Sequence, residues 1–271
     1  MYAHRAAEDL KVNIEKVSGE IERVATQVRL LLIGRAIKFH IDDYKFIYEP
    51  YRNRLKDDPD SIFNLFKYMK MPYSVMWLDL AYCGRKEGVL AVCDEKQENI
   101  SIFSLVQGPS NDGFIFSPAV ISVKLKKNDI NYFCLSNPFS KNIEQEFIEE
   151  SSQLGIMFLL FLLLLNCKNI TTEDNYPSAA LNKSRRKKGR QELFTYKTLK
   201  LLLPGNREKH RLPNEPNGDH NRIHFCRGHF KEYTKEAPLL GRAVGLYWWQ
   251  PHVRGQNRDG IVMKDYEVAP R

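Results

Sequence analysis

Polar side chains of the kinds that move protons and hold phosphates gather near the end of this chain. The stretches RIHFCRGHFKEYTKE (222–236) and PLLGRAVGLYWWQPHVRG (238–255) hold His224, His229 and His252, three of the seven histidines, with Arg227, Lys231, Tyr233, Tyr247 and Arg254. Imidazole titrates near neutral pH, so one histidine could take the 2′-hydroxyl proton of RNA and another protonate the leaving oxygen. Guanidinium or ammonium groups would stabilise the phosphorane charge between them. His224, His229, His252, Arg227, Arg254 and Tyr233 are therefore the candidate catalytic residues of a metal-independent ribonuclease. The same set could bind phosphate without breaking a bond, or simply satisfy a strand-rich core. The H-x-C-x-x-H run has no zinc-ligand spacing, and no metal or cofactor is expected.

A strand alternates its side chains, so His224 and Cys226 would share one face, and Arg227 and His229 the other. If the two stretches pair, His252 and Arg254 come near one of those faces. Trp248 and Trp249 must point in opposite directions, which leaves at most one exposed for stacking on an unpaired base.

The second chemical signal is charge. The chain carries a formal +8 and a pI of about 9.1, but residues 181–235 alone hold fifteen Lys and Arg against five acids. That local excess exceeds the net charge of the whole chain, so the remainder is slightly acidic. Its densest part is the run Ser184 to Arg190, in which Arg185, Arg186, Lys187, Lys188 and Arg190 are candidate phosphate contacts, with Lys231 further on. Such contacts make binding salt-dependent and largely indifferent to sequence. A solvated loop is the plain alternative.

These residues need a scaffold. Ala3, Ala7, Leu10, Ile14, Val17, Ile21, Val24, Val28 and Leu31 follow alternating steps of four and three, the seam of a long helix that either packs on its own domain or self-associates as a coiled coil through residues 3–31. Gly19 and Gly34 mark where it bends or stops. A polar connection follows, then a helix over SIFNLFKYMK closed by Met71-Pro72. Val75–Tyr82, Val89–Cys93, Ile100–Val106, Phe114–Leu125 and Asn131–Leu135 read as strands of an antiparallel meander joined by short links. Residues 143–166 read as one helix whose apolar second half must be buried on most sides. After the basic run come strands over Leu193–Leu203, Arg222–Phe230, Gly245–Gln250 and Gly260–Val268. The fold class is α+β, organised as a helical segment 1–70, a sheet with a buried helix over 71–180, and a basic β-rich region 181–271 that either shares that core or stands apart.

Composition narrows the setting. At 43% hydrophobic residues the chain can bury a sizeable core. The first residues lack a secretory signal, and the unbroken apolar run, Leu154 to Leu165, is short for a bilayer span, so no membrane is expected. Five scattered cysteines, Cys83, Cys93, Cys134, Cys167 and Cys226, fit reduced thiols in a reducing compartment. The sequons at Asn99, Asn169 and Asn182 are then chance matches. No phosphate-binding loop, G-x-G-x-x-G, His-Glu-x-x-His or G-x-S-x-G is present.

KMPYSVMWLDL, LLNCKNIT with LNKSRRKKGRQELFTYKTLKLL, and above all HFCRGHFKEYTKEAPLLGRAVGLYWWQPHVRG resemble a family of uncharacterised proteins carried by tailed bacteriophages and prophages. The resemblance covers about two thirds of the chain from Met71 onward. It implies expression from a phage or mobile element in the host cytoplasm and brings no catalytic residues with it. Three functions are thus expected in competition: a nucleic-acid-binding protein, a ribonuclease-like enzyme, or an oligomeric protein that meets a host or phage partner.

Overall fold

Alternation and turn chemistry build most of the sheet. In the computed structural model, which describes residues 3–14, 20–57, 64–96, 98–107, 114–125, 129–134, 141–202 and 224–254, five strands run as a continuous antiparallel meander. These are β2 (Val75–Tyr82), β3 (Arg85–Cys93), β4 (Asn99–Gln107), β5 (Phe114–Lys124) and β6 (Asp129–Cys134). The β2–β3 link is tight because Cys83 and Gly84 both take positive φ, 49° and 78°, the handedness that matches strand twist in a two-residue hairpin. Between β3 and β4, Asp94 accepts from the backbone N–H groups of Glu98 and Asn99 at 2.8 and 3.3 Å, a side-chain-closed turn.

The meander is part of a mixed eight-stranded sheet of order β6-β5-β4-β3-β2-β1-β8-β7. β1 (Ile37–Ile41) lies parallel to β2 and to β8 (Tyr196–Leu201), with β7 (Ile170–Asn175) at the edge. The segment expected to be purely helical therefore contributes a strand, and residues 181–200 belong with the sheet rather than with the basic region. The chain divides into two compact units, 1–166 with 170–200 and 167–169 with 201–271.

Register assigns the faces of the sheet. Ile37, Met76, Ala91, Ile102 and Ile121 are successive cross-strand partners, and α4 (Lys141–Leu165) covers that side. Gly155 of α4 sits so close that a Cβ would lie 2.2 Å from Ile121 Cδ1. Phe158, Phe161, Leu162 and Leu163 are wholly buried, each such side chain contributing about 1.5–3 kcal/mol. The 148–165 stretch has a mean hydropathy of 1.7, long and apolar enough by composition to cross a membrane, yet its apolar half is spent on this core. The opposite face carries Trp77 and Leu90, which join Ala3, Ala6, Ala7 and Leu10 of α1 (Ala3–Ile14) and Ile33 of α2 (Glu20–Arg35) in one cluster.

Those helices revise the expected seam. Ala3, Ala7 and Leu10 face their own core, whereas Val24, Val28 and Leu31 are 52%, 47% and 64% exposed. A coiled coil along all of residues 3–31 would need both sets on one free face, and burial of the first set removes that geometry. Two further expectations change. The polar connection contains α3 (Lys45–Asp57), anchored by buried Tyr44, Ile47, Tyr48 and Tyr51. Of the helix expected over SIFNLFKYMK, residues 61–63 lie outside the described part, and the rest shows a single 3-10 turn, Phe66–Tyr68. The described cysteines form no disulfide: Cys93 and Cys167 are buried, Cys226 is half-buried and Cys83 is exposed.

Candidate nucleic-acid interface

The two histidine-bearing stretches pair along their length. β9 (His224–Cys226) pairs with β12 (His252–Arg254), placing His224 opposite Arg254 and Cys226 opposite His252; β10 (His229–Tyr233) pairs with β11 (Gly245–Trp249). The expected single strand over Arg222–Phe230 is broken at Arg227-Gly228, directly across from the break at Gln250-Pro251. Proline has no N–H to give a ladder. Gly228 is dictated by packing, since a Cβ there would lie 2.8 Å from Trp248 Cζ2 and 3.1 Å from Pro251 Cδ.

The outer edge of β11 is closed by residues just beyond α4. Lys168 N–H donates to Leu246 O at 2.8 Å. The Asn169 side chain then brackets Trp248, donating from Nδ2 to its carbonyl at 2.7 Å and accepting from its N–H at 3.0 Å. An edge strand needs partners of this kind. The Asn169 amide, a sequon position, is committed to that task.

Alternation now sorts the β10–β11 hairpin. Phe230, Trp248 and Leu246 are buried on one face, with Phe230 and Trp248 rings 4.8 Å apart. The other face carries His229 opposite Trp249, Lys231 opposite Tyr247, and Tyr233 opposite Gly245. The Tyr233 and Tyr247 rings meet edge to face at 5.6 Å, and the Lys231 ammonium sits 4.9 Å from the Tyr233 centroid. The missing side chain at Gly245 lets the aliphatic stem of Lys168 lie there, its Cγ 3.2 Å from where a Cβ would be. This face is therefore a row of aromatic rings interleaved with two ammonium groups and an imidazole. Lys168 was not legible as a member, because nothing local ties it to residue 245.

The histidines are held in a defined protonation geometry. His229 Nδ1 lies 3.0 Å from Arg227 O, and His252 Nδ1 lies 2.8 Å from Gln250 O. A carbonyl only accepts, so in the neutral rings Nδ1 carries the proton and Nε2 presents its lone pair. Beside the aromatic row is a cavity of about 220 Å³ lined by Tyr247, Trp249, Pro251 and His252 among others. Of the sequence-derived set, Tyr233, Lys231 and His229 share one face, His252 lines this cavity, and Arg227 is exposed. The side chains of His224 and Arg254 lie outside the described part. Among the described residues no three His, Cys, Asp or Glu side chains converge as a metal site would require.

The basic run takes a different form. Residues 179–187 make α5 (Ala179–Lys187), and its first two arginines are engaged. Arg185 donates to Glu8 at 2.8 Å and to Gln191 O at 2.6 Å, and Arg186 pairs with Glu192. Arg185 is thereby tied into the fold, while Arg186 stays exposed at the surface beside its Glu192 partner. Lys187, Lys188 and Arg190 are exposed.

A second polar cluster escaped the sequence reading. On β1 and β2, Asp79 is fully buried and accepts from Trp77 Nε1 at 2.5 Å, with His40 Nδ1 4.0 Å away. Lys38, 4% exposed, donates to Ala36 O at 2.8 Å, and burial holds its ammonium down at about 8, against the opposing pull of Asp79. The lysine caps the carbonyls that end α2. The signal was Lys38 and His40 alternating within IKFHI, a strand pattern with charged residues where apolar ones are usual. No protein family, curated protein or solved structure matches this chain.

Proposed function

We propose that this chain binds single-stranded nucleic acid, with the open face of the β10–β11 hairpin as the contact surface. The observation that carries the reading is the interleaving on one face of Tyr233, Tyr247 and Trp249 with Lys231, Lys168 and His229. Aromatic faces stack on any base, and ammonium groups track the phosphates. Exposed Lys187, Lys188 and Arg190 add sequence-independent attraction. With the resemblance to phage and prophage proteins, the setting is the cytoplasm of the cell that expresses the element.

The test is fluorescence anisotropy with labelled single strands and duplex across about 50 to 200 mM salt. Single strands should bind more tightly, with affinity falling as salt rises. Tyr247→Ala should weaken binding about tenfold, within the range for loss of one stacked base. Equal affinity for duplex, or no response to Tyr247→Ala, refutes the assignment of this face.

A ribonuclease is the second reading, favoured by the two Nδ1-anchored imidazoles of His229 and His252, each offering Nε2 as a proton acceptor. It requires cleavage that resists EDTA and disappears in His229→Ala or His252→Ala. Self-association through the heptad stripe is a separate proposal, now confined to Val24, Val28 and Leu31 on α2. A monomeric mass at micromolar concentration removes it.

A further inference from the structure

A cavity of about 650 Å³ lies against α1 and α2, away from the aromatic face. Helix geometry shows how its walls arise. Leu30, Leu31, Gly34 and Arg35 lie three, four, seven and eight positions beyond Gln27, so one face of α2 lines about 12 Å of it. Ala7 and Lys11, one turn apart on α1, line a second side, and Gln191 and Phe194 complete it. The floor is apolar and continuous with the core: Ala7 belongs to the buried cluster, and Leu30 and Phe194 pack against it.

Two features of the α2 wall run against stability. Leu31 is 64% exposed. Gly34 has nothing within 4 Å of where a Cβ would lie and no positive φ, so neither packing nor backbone conformation requires a glycine in the last turn of α2. Both leave the cavity open. The lining holds two cations and no acid. The Lys11 ammonium is fixed against Gln191 Oε1 at 2.7 Å, Arg35 is exposed, and the Lys38 ammonium stands 4.1 Å from the Phe194 ring centroid. The Glu8 carboxylate is occupied by Arg185 and the Gln191 N–H.

We propose that this cavity binds one single-chain amphiphile with an anionic head, of the fatty-acid class. The apolar walls take the chain, and exposed Lys11 and Arg35 attract the carboxylate. The volume falls in the range of small-molecule sites, about 300–1,000 Å³.

The probe is decanoate below its micelle concentration, titrated into the full-length chain by calorimetry, with decanol as the neutral and decyltrimethylammonium as the cationic counterpart. Decanoate should bind once per chain and about fivefold more tightly than decanol, the upper range for an exposed ion pair. Gly34→Leu projects into open space and should lower decanoate affinity at least about tenfold, whereas Gly34→Ala, which adds one methyl, should stay within about threefold. Both should melt no lower than the native chain, because either residue suits a helix better than glycine. Lys11→Gln with Arg35→Gln should bring the ratio of decanoate to decanol affinity to about one. Absence of saturable binding, unchanged affinity in Gly34→Leu, or equal binding of all three head groups by the native chain overturns the proposal. So does a dimeric native mass that Gly34→Leu turns monomeric, which would make the cavity an interface between copies of the chain.

Discussion

Asn169→Ala should loosen the hairpin that carries the aromatic face. The alanine removes the donor to Trp248 O at 2.7 Å and the acceptor of Trp248 N–H at 3.0 Å. Trp248 is 2% exposed and Asn169 is 9% exposed, so water does not readily replace either partner. Each buried main-chain group left unpaired costs about 1–3 kcal/mol, which gives about 2–4 kcal/mol after partial relaxation. A typical domain has only about 5–15 kcal/mol in all. Hydrogen exchange of the Trp248 amide reads this directly: protection should fall about thirty- to several-hundred-fold, at about 1.4 kcal/mol per factor of ten. The amides of β2 to β5, in the other unit, should keep native protection. A change at Trp248 of less than about fivefold would show that Asn169 is not what holds β11. Asn169→Asp adds a pH test. The new carboxyl would face the Trp248 carbonyl and favour its neutral form, raising its folded pKa above the unfolded value of about 3.9. The variant should therefore lose stability as pH rises from about 4.

The other predictions concern charge and packing elsewhere. Burial and the neighbouring Glu150 push the Glu87 carboxyl up to about 7, against the pull of Arg85. Its folded pKa exceeds the unfolded one of about 4.3, so stability present in acid falls as pH rises through about 7. Glu87→Gln should gain up to about 3 kcal/mol near pH 8 and little near pH 4, read from urea midpoints. His4 goes the other way: burial and Arg185 hold its imidazole down at about 4, so stability is lost as pH falls from about 6.5, and His4→Gln should flatten that limb by up to about 2 kcal/mol. Gly228→Ala should destabilise the hairpin by about 1–3 kcal/mol through the Cβ driven into Trp248, with a shifted tryptophan emission as the check. Arg185→Ala and Glu8→Gln should each destabilise the protein and show coupling of at least about 0.5 kcal/mol in a double-mutant cycle, whereas additive effects would show that the Arg185–Glu8 pair does not hold α5.

Local chemistry made much of this fold legible. The meander from Val75 to Cys134 was readable because β-branched and aromatic residues alternate between turn-forming clusters, and such links can only join neighbours. The helix over 141–165 was readable because an all-apolar stretch of that length has to be enclosed. The pairing of the two histidine-bearing stretches was readable as a condition, and the opposite orientation of Trp248 and Trp249 as a necessity: Trp248 is buried and Trp249 is half-buried.

Other elements depended on partners distant in the chain. β1 carries Lys38 and His40 at inward positions, which local pattern rejects, and contacts such as the carbonyls at the end of α2, the Phe194 ring and the carboxylates of Asp42 and Asp79 make them acceptable there. β7, ITTEDN, has no apolar face and forms a strand as the exposed edge of a sheet built by others. Arg185 and Arg186 had a visible charge, but the acids that claim them, Glu8 and Glu192, could be matched to them only once α5 was packed. Composition and period determine which segments must be buried and which faces are apolar, because those are properties of a few adjacent residues. Which charge is neutralised, which half of a heptad seam is covered and which lysine stem fills the gap at Gly245 are decided by tertiary structure, because each depends on a residue brought close by folding rather than by sequence.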